Sequence, residues 1–336
     1  MILIGDIGGT KTVLAVFSAE AGPHTPLAEM TFPSAHYASL EDIVREYLTT
    51  VSMPIEGACF GVAGPIIEGR AQITNLPWVI EVSNLQSTFG WNAVKLLNDL
   101  ESVGYAIPVL ESDDIYTLSP GKPVPGGPIA VLAAGTGLGE GFLTYDGGRY
   151  VAHASEGSHV SFGPIDQLQV GLLTYLRENK GFDHVSFERV CSGGLGIPNL
   201  YDYLRDSGYA AEPAWLAEQL TGNADHTPII AKAAQDTKNP CELCIATLNL
   251  FVTILGAEAG NLALKVLATG GIYIGGGISP RILSFLKQPV FLEALRNKGR
   301  FRKALTDMPV HVILNAKAGL LGAAAYGLMQ VLTPQS

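Results

Sequence analysis

The sequence predicts an α/β protein of two domains whose halves repeat one pattern. At 336 residues the chain exceeds the usual size of a single domain. Short apolar strands are mixed with helical segments along it, which is typical of a sheet covered by helices. A strand, a glycine–threonine turn and a second strand open the chain at 1–18 and return at 129–145. Two such copies, one in each half, indicate a duplicated architecture.

Each predicted element follows from local residue patterns. Short apolar runs that end at glycine, proline or polar residues predict strands, and longer runs with helical spacing predict helices. Pro33 ends the third strand, and the stretch PGKPVPGGP at 120–128 breaks regular structure. The predicted strands are 1–6, 12–18, 27–32, 57–62, 95–98, 129–134, 140–145, 149–154, 270–274 and 310–314, and the predicted helices are 40–49, 164–179, 197–206, 212–220, 228–237, 241–267 and 317–331.

Composition and charge disfavour several kinds of partner. The chain is 47% hydrophobic and 15% charged, and its net charge of -10 argues against nucleic acid or an anionic membrane as a partner. No secretory signal is expected, because Met1 leads directly into apolar residues without a basic start or a cleavage site. The longest uncharged apolar runs, 243–257 and 318–333, are shorter than the roughly 20 residues of a membrane-spanning helix. We therefore expect both to be buried helices.

The four cysteines fit a reducing compartment, so a cytoplasmic location is expected. Cys241 and Cys244 form a lone C-x-x-C in an apolar helical stretch, without a second pair or a neighbouring histidine. Core packing is the preferred interpretation, and no metal site is predicted.

The two glycine turns are candidate phosphate sites. Glycines allow backbone N–H groups to approach a phosphate closely, because no β-carbon intervenes. In the first turn, Asp6 could hold a magnesium-bound water and Lys11 could add positive charge at the rim. One such turn alone is more often structural, but two in comparable places favour a site that grips one polyphosphate. The first turn consists of Asp6, Ile7, Gly8, Gly9, Thr10 and Lys11, and the second consists of Gly135, Thr136 and Gly137.

A third glycine run, Gly275, Gly276 and Gly277, lies between a strand and a helix. Such a turn allows a ribose or a flat ring to lie against the backbone, although a simple tight turn is equally common. The run lacks the G-x-G-x-x-G pattern and the acidic residue of a dinucleotide fold, which disfavours a nicotinamide cofactor.

Asn98 and Asp99 end a buried strand, where open α/β sheets place ligand-contacting groups. An aspartate there could accept the proton of a sugar hydroxyl as that oxygen attacks phosphorus. The competing interpretation is that Asp99 caps a helix beginning at the next residue. Glu156, His159 and Glu188 are candidate sugar ligands, and the alternative for His159 is a structural histidine.

Together these segments resemble the bacterial glucokinase family, a branch of the sugar kinases built like actin and hexokinase. The segments NDL and EGSH are the most specific, whereas DIGGTK is shared with many kinases. The matching segments keep the family order from end to end and are IGDIGGTKT (4–12), GVAGPI (61–66), TNLPW (74–78), LLNDLESVGYAI (96–107), LAAGTGLGEGF (132–142), ASEGSHVSFGP (154–164), FERVCSGGLGIPNLY (187–201), IGGGISP (274–280) and AKAGLLGAAAYG (316–327).

The resemblance implies a two-domain actin-like ATPase fold, hexokinase-type and ribonuclease H-like, with a cleft between a small domain (1–108 plus 318–336) and a large domain (109–317). It implies ATP-dependent phosphorylation of glucose at the 6-hydroxyl, magnesium carried with ATP, and a homodimer. The first two turns would bind the ATP phosphates, the third would approach the adenosine, and Asp99 would be the general base. The sugar hydroxyls would be held by Asn98, Asp99, Glu156, His159 and Glu188, with Ala63, Gly64, Pro65 and Asn75 as further candidates.

The chain departs from related patterns at two places. Zinc-containing sugar kinases carry a cysteine cluster after the histidine, whereas this chain has SFGP at 161–164, so no structural zinc is expected. Glu140 follows the second turn, and its charge would oppose a phosphate unless strand alternation points it away.

Three alternative functions stay open on the sequence. A kinase for mannose or an N-acetylhexosamine would use the same carboxylates. A non-catalytic sugar sensor would need an added DNA-binding domain, for which the segment before Asp6 leaves no room. An actin-like filament ATPase would not need the set Glu156, His159 and Glu188.

Overall fold

The structure is a computed structural model that describes residues 1–73 and 76–330. Asn75 therefore lies outside the described residues. The strands within them are β1 (Ile2–Ile7), β2 (Lys11–Phe17), β3 (Ala28–Pro33), β4 (Gly57–Val62), β5 (Ile66–Ile67), β6 (Arg70–Gln72), β7 (Val79–Glu81), β8 (Ala93–Asn98), β9 (Ile115–Ser119), β10 (Ile129–Ala134), β11 (Leu138–Tyr145), β12 (Tyr150–Ser155), β13 (Gly271–Gly275) and β14 (Val310–Ile313). The α-helices within them are α1 (Leu40–Thr50), α2 (Val82–Phe89), α3 (Asp99–Ala106), α4 (Gln167–Glu178), α5 (Glu188–Cys191), α6 (Gly196–Asp206), α7 (Ala214–Leu220), α8 (Thr227–Ala234), α9 (Glu242–Val266), α10 (Leu283–Leu286), α11 (Pro289–Arg296), α12 (Arg302–Asp307) and α13 (Ala318–Gln330).

The chain forms two compact units, and the second is inserted into the first. The first unit comprises Met1–Glu111, Arg149–Ala154 and Asn315–Ser336, and the second comprises Ser112–Gly148 and Ser155–Leu314. The sequence-based division into 1–108 plus 318–336 and 109–317 has the same nested order, and its boundaries stay a prediction. The grouping of Arg149–Ala154 with the first unit was not anticipated.

The first unit contains a five-stranded sheet in the order β3-β2-β1-β4-β8. β1 runs antiparallel to β2 and parallel to β4, and β4 runs parallel to β8. Helix α13 packs against β1, β4 and α3, so the C-terminal helix covers the central strands of this sheet. The same unit holds a small antiparallel sheet in the order β5-β6-β7.

The sheet of the second unit contains the strands β11-β10-β13-β14-β9 in that order. β10 runs antiparallel to β11 and parallel to β13, and β13 runs parallel to β14. In each unit, the first strand of a hairpin is followed in the sheet by two strands parallel to it: β4 and β8 after β1, and β13 and β14 after β10. This arrangement confirms the duplicated pattern. The elements that sequence patterns missed are short, among them β5, β6, β7 and β9.

Helix α9 lies at the centre of the second unit, where it packs against α6, α8 and α11. In the described part of the chain, it is the one helix whose length and composition would suffice to cross a membrane. Its most apolar window is 78% buried inside the protein, which is typical of a core helix. Cys241 and Cys244, at its N-terminal end, are 1% and 0% exposed and pack in the same core.

Candidate active site

The first glycine turn joins β1 to β2 in the first unit. The Gly8 N–H donates to the Lys11 carbonyl at 3.0 Å and closes the turn. Ile7, before the turn, is buried, whereas Thr10 and Lys11 are exposed. The turn backbone is thus held by a hydrogen bond next to the sheet, and the tip of the turn is exposed.

Asp6 lies near the end of β1, next to the N-terminus of α13. A Cβ at Gly319 would lie 3.5 Å from both carboxyl oxygens of Asp6, so the helix backbone passes directly beside that carboxylate. Burial and the negative charge of Asp99 raise the pKa of Asp6, while Lys11 lowers it. A cation between Asp6 and bound phosphates would relieve this repulsion.

Magnesium fits the groups at this position. Mg²⁺ keeps several of its waters and is bound in kinases by one or two carboxylates together with substrate phosphates. Asp6 supplies such a carboxylate beside the first glycine turn. Within residues 1–73 and 76–330, no three His, Cys, Asp or Glu side chains form a metal-binding group.

Asn98, rather than Asp99, caps the helix that follows β8. The Asn98 Oδ1 accepts from the N–H groups of Leu100 at 3.0 Å and Glu101 at 3.4 Å, and the Glu101 carboxylate accepts from the Asn98 N–H at 3.3 Å. This is a complete capping box. Asp99 is the first residue of α3, where it is exposed and its Oδ1 accepts from the Leu100 N–H at 2.9 Å.

Asn98 also anchors the loop after β4. Its Nδ2 donates to the Gly64 carbonyl at 3.1 Å, which ties the Ala63-Gly64-Pro65 segment to the start of α3. One hydrogen of that amide remains for a ligand. The predicted candidates Asn98, Asp99 and Gly64 are thus brought together at one edge of the sheet.

Asn98→Ala is expected to destabilise the protein by about 1–2 kcal/mol, because it removes the cap of α3 and the tie to Gly64. Asn98→Asp is the matched control, since its carboxylate can still cap the helix but cannot donate to Gly64. Urea denaturation of the unaltered protein, Asn98→Ala and Asn98→Asp measures the contributions of the cap and of the hydrogen bond to Gly64. An Asn98→Ala midpoint equal to that of the unaltered protein would contradict the capping role.

The second glycine turn joins β10 to β11 in the second unit and is held by its carbonyl groups. The Gly193 N–H donates to the Gly135 carbonyl and the Gly194 N–H donates to the Thr136 carbonyl, both at 2.8 Å. Thr136, at the tip, is exposed. Like the first turn, this turn is therefore held by hydrogen bonds to the rest of the protein and has an exposed tip.

The three predicted sugar ligands of the second unit form one cluster. The His159 Nε2 lies 3.5 Å from a Glu156 carboxylate oxygen, and its Nδ1 lies 3.4 Å from a Glu188 carboxylate oxygen. Glu188 also lies beside the second turn, because a Cβ at Gly137 would be 3.0 Å from its Oε1. The candidate sugar and phosphate groups of this unit are therefore neighbours.

The Glu140 side chain lies in the core. Its side chain is fully buried, and neither carboxyl oxygen has a hydrogen-bond partner among the described residues. Burial and the negative charge of Glu258 raise the pKa of Glu140 to about 7, against a smaller lowering by Lys265. The carboxyl lies under Gly157, where a Cβ would overlap its Oε2. Glu140 thus supports the turn that carries Glu156 and His159.

The third glycine run needs glycine at its centre. Gly276 has a φ of +84°, and a Cβ there would overlap the carbonyl group of Ala134. The Ile278 N–H donates to that same carbonyl at 3.2 Å, so the run lies against the end of β10. Gly277 is exposed, with no atom near its Cβ position.

The second unit also has a cavity of about 700 Å³, lined mainly by residues of α7 and α8, which sequence patterns did not reveal. The Thr227 hydroxyl at the start of α8 donates to the Gly193 carbonyl, and the Gly193 N–H donates to the Gly135 carbonyl of the second glycine turn. Ser284 Oγ donates to Gln235 Oε1 at 3.0 Å, which links α8 to the segment after Gly277. The lining includes Trp215, Pro228, Lys232, Gln235, Asp236 and Arg281.

Comparisons with known proteins agree with one another over nearly the whole chain. The profile of the family described as Glucokinase matches residues 3–330. The glucokinase of Nostoc punctiforme is 42% identical over 96% of this chain and 98% of its own length. The crystal structure of a glucokinase from an Antarctic psychrotroph is 35% identical, has a TM-score of 0.82 and covers 96% of this chain and 97% of its own. The ROK family glucokinase of Streptomyces griseus, in complex with glucose and AMPPNP, is 21% identical and shares the fold, with a TM-score of 0.61 over 96% of this chain and 98% of its own.

Proposed function

The chain belongs to the glucokinase family, and we propose that it is an ATP-dependent glucokinase in which Asp99 is the general base. The same comparisons confirm the expected α/β fold of the actin-like sugar kinases. The reaction transfers the γ-phosphate of ATP to the 6-hydroxyl of glucose. The observation that carries the assignment of the base is the position of Asp99, exposed directly after β8 and close enough to Asp6 to raise its pKa.

Positioning and charge neutralisation supply most of the catalysis in phosphoryl transfer. Backbone N–H groups of the first and second glycine turns hold the ATP phosphates, and Lys11 adds positive charge. Asp6 would hold a magnesium ion carried with ATP, and that ion would neutralise negative charge on the phosphates. Asp99 orients the 6-hydroxyl and accepts its proton, because its carboxylate is exposed while Asn98 performs the capping that the helix requires.

The remaining glucose hydroxyls are held by Asn98, Glu156, His159 and Glu188. His159 lies between the two carboxylates, and each carboxylate keeps acceptor sites for hydroxyl groups. A coupled assay across glucose, mannose and N-acetylhexosamines, with ATP, ADP and polyphosphate as donors, tests this assignment. Faster phosphorylation of mannose or an N-acetylhexosamine than of glucose would overturn it.

The cavity beside the third glycine run is proposed to hold the adenosine of ATP. Thr227, next to the cavity wall, is hydrogen-bonded to Gly193, which is itself hydrogen-bonded to Gly135 of the second turn. An adenosine in the cavity would therefore have its phosphates on the side of that turn. Trp215 provides an aromatic ring, and Asp236 and Gln235 provide acceptors for an exocyclic amine.

Trp215→Ala is expected to weaken ADP binding about tenfold, because base–aromatic stacking is lost. ADP should also change the tryptophan fluorescence of the unaltered protein but not that of Trp215→Phe. Trp91→Phe is the matched control, since Trp91 is buried in the first unit. A fluorescence response that survives in Trp215→Phe would place the adenosine elsewhere.

The protein is further proposed to be a cytoplasmic homodimer. All four cysteines are free and buried, as expected of a protein from a reducing compartment. The dimer rests on the resemblance to the family, and light scattering coupled to size-exclusion chromatography tests it. A mass near the 35.5 kDa of one chain would contradict the dimer.

A further inference from the structure

The protein side of the first glycine turn is held by one buried serine. Ser34, directly after β3, donates its N–H to the Thr10 carbonyl at 3.1 Å and its hydroxyl to the Gly8 carbonyl at 2.7 Å. The Thr12 hydroxyl lies 3.0 Å from Ser34 Oγ. Since the single hydroxyl hydrogen of Ser34 is used on Gly8, Thr12 is the donor in that pair. Both side chains are fully buried.

These contacts orient peptide groups whose other ends face the ligand side. The carbonyl and the N–H of one trans peptide point in opposite directions. A carbonyl of Gly8 that is fixed on Ser34 therefore fixes the N–H of Gly9, in the same peptide, pointing away from Ser34. The Thr10 carbonyl fixes the N–H of Lys11 in the same way.

The second turn is held by the same principle but with different groups. There the carbonyls of Gly135 and Thr136 are held by backbone N–H groups of Gly193 and Gly194. No substitution except proline removes those donors. In the first turn, by contrast, the Gly8 carbonyl is held by one hydroxyl group, that of Ser34.

We infer that Ser34 is a positioning residue for the phosphates of ATP, acting through the Gly8–Gly9 peptide; this inference rests on the proposed role of the first turn. Gly8 and Gly9 have wide conformational freedom of their own. Without the Ser34 hydroxyl, nucleotide binding would have to order the turn. The free-energy cost of that ordering would lower the affinity for the nucleotide.

The test compares Ser34→Ala with Ser39→Ala. Ser39 lies in the same unit and caps α1 by accepting from the Asp42 N–H at 3.2 Å, so its loss weakens the fold without touching the turn. ADP affinity is measured by calorimetry without sugar, and KM is measured for ATP and for glucose. In Ser34→Ala the ADP Kd and the KM for ATP should rise about fivefold, as expected for one lost hydrogen bond. The KM for glucose should stay unchanged, and Ser39→Ala should leave all three constants unchanged.

Thr12→Val keeps the Ser34 hydroxyl but removes its orienting donor, and it should weaken ADP binding in the same direction by a smaller factor. It also serves if Ser34→Ala does not fold. Unchanged ADP affinity in folded Ser34→Ala or, if that variant does not fold, in Thr12→Val would overturn the inference. An equal loss in Ser39→Ala would do so too. If the unaltered protein binds ADP but phosphorylates no sugar, the proposed function fails while the comparison of ADP affinities still decides the role of Ser34.

Discussion

Asp99→Asn is expected to lower kcat for glucose about 10³-fold, because the amide cannot accept the proton of the 6-hydroxyl. The fold should be retained, since the asparagine oxygen can still accept from the Leu100 N–H and Asn98 still caps α3. Glucose binding should survive in part, because the remaining sugar ligands are unchanged. A coupled assay measures the rate, and calorimetry measures glucose affinity.

Glu101→Gln is the matched control for this change. It converts a carboxylate to an amide on the same helix, two residues further on, and glutamine can complete a capping box as glutamate does. Its kcat should stay close to that of the unaltered enzyme. A rate for Asp99→Asn within about tenfold of the unaltered enzyme would remove Asp99 as the base.

Glu140→Gln is expected to make the free energy of unfolding of the protein less sensitive to rising pH. The raised pKa of Glu140, about 7 in the folded state, means that its stabilising contribution is complete below pH 4.5 and is lost as pH rises to 7. Glutamine resembles the protonated form and has no proton to lose. Between pH 5 and pH 8, the free energy of unfolding of Glu140→Gln should therefore gain about 2–3 kcal/mol relative to the unaltered protein.

Thermal or urea denaturation across this pH range measures the difference. Lys265→Met tests its cause, because Lys265 lowers the pKa of Glu140 and its removal should move the loss of stability to higher pH. Glu258, which raises the pKa of Glu140, is retained in both variants. Its own pKa is raised by burial and lowered by Lys265, 3.5 Å away, so Lys265→Met also raises the pKa of Glu258. Parallel stability curves for Glu140→Gln and the unaltered protein would show that Glu140 is ionised in the core.

The hairpins and their turns were predictable because their signals are local. A buried apolar strand, glycines at a tight turn and a second alternating strand specify β1–β2 and β10–β11 almost without help from the rest of the chain. The proximity of Glu156 and His159 was predictable for the same reason, since they are three residues apart in one turn. Their approach to Glu188 came from the family resemblance rather than from spacing.

The parts that could not be predicted depend on contacts between distant segments. The competing interpretation of the sequence made Asp99 the cap of α3, whereas the path of the chain gives that role to Asn98. The hold of Ser34 on the first turn spans 26 residues between Ser34 and Gly8. The burial of Glu140 under Gly157 likewise requires the packed core, because strand alternation leaves the neighbours of a side chain undefined.

The contact of α13 with Asp6 has a consequence for how the protein is made on the ribosome. The strand that carries Asp6 is synthesised before the second unit, whereas the helix beside it, on β1 and β4, emerges after that unit. At roughly 5–20 residues per second, the intervening chain delays that contact by tens of seconds. The inserted second unit can fold in that interval, whereas the nascent first sheet must keep an uncovered apolar face. Its exposure to chaperones and aggregation during translation is thus built into the order of the segments.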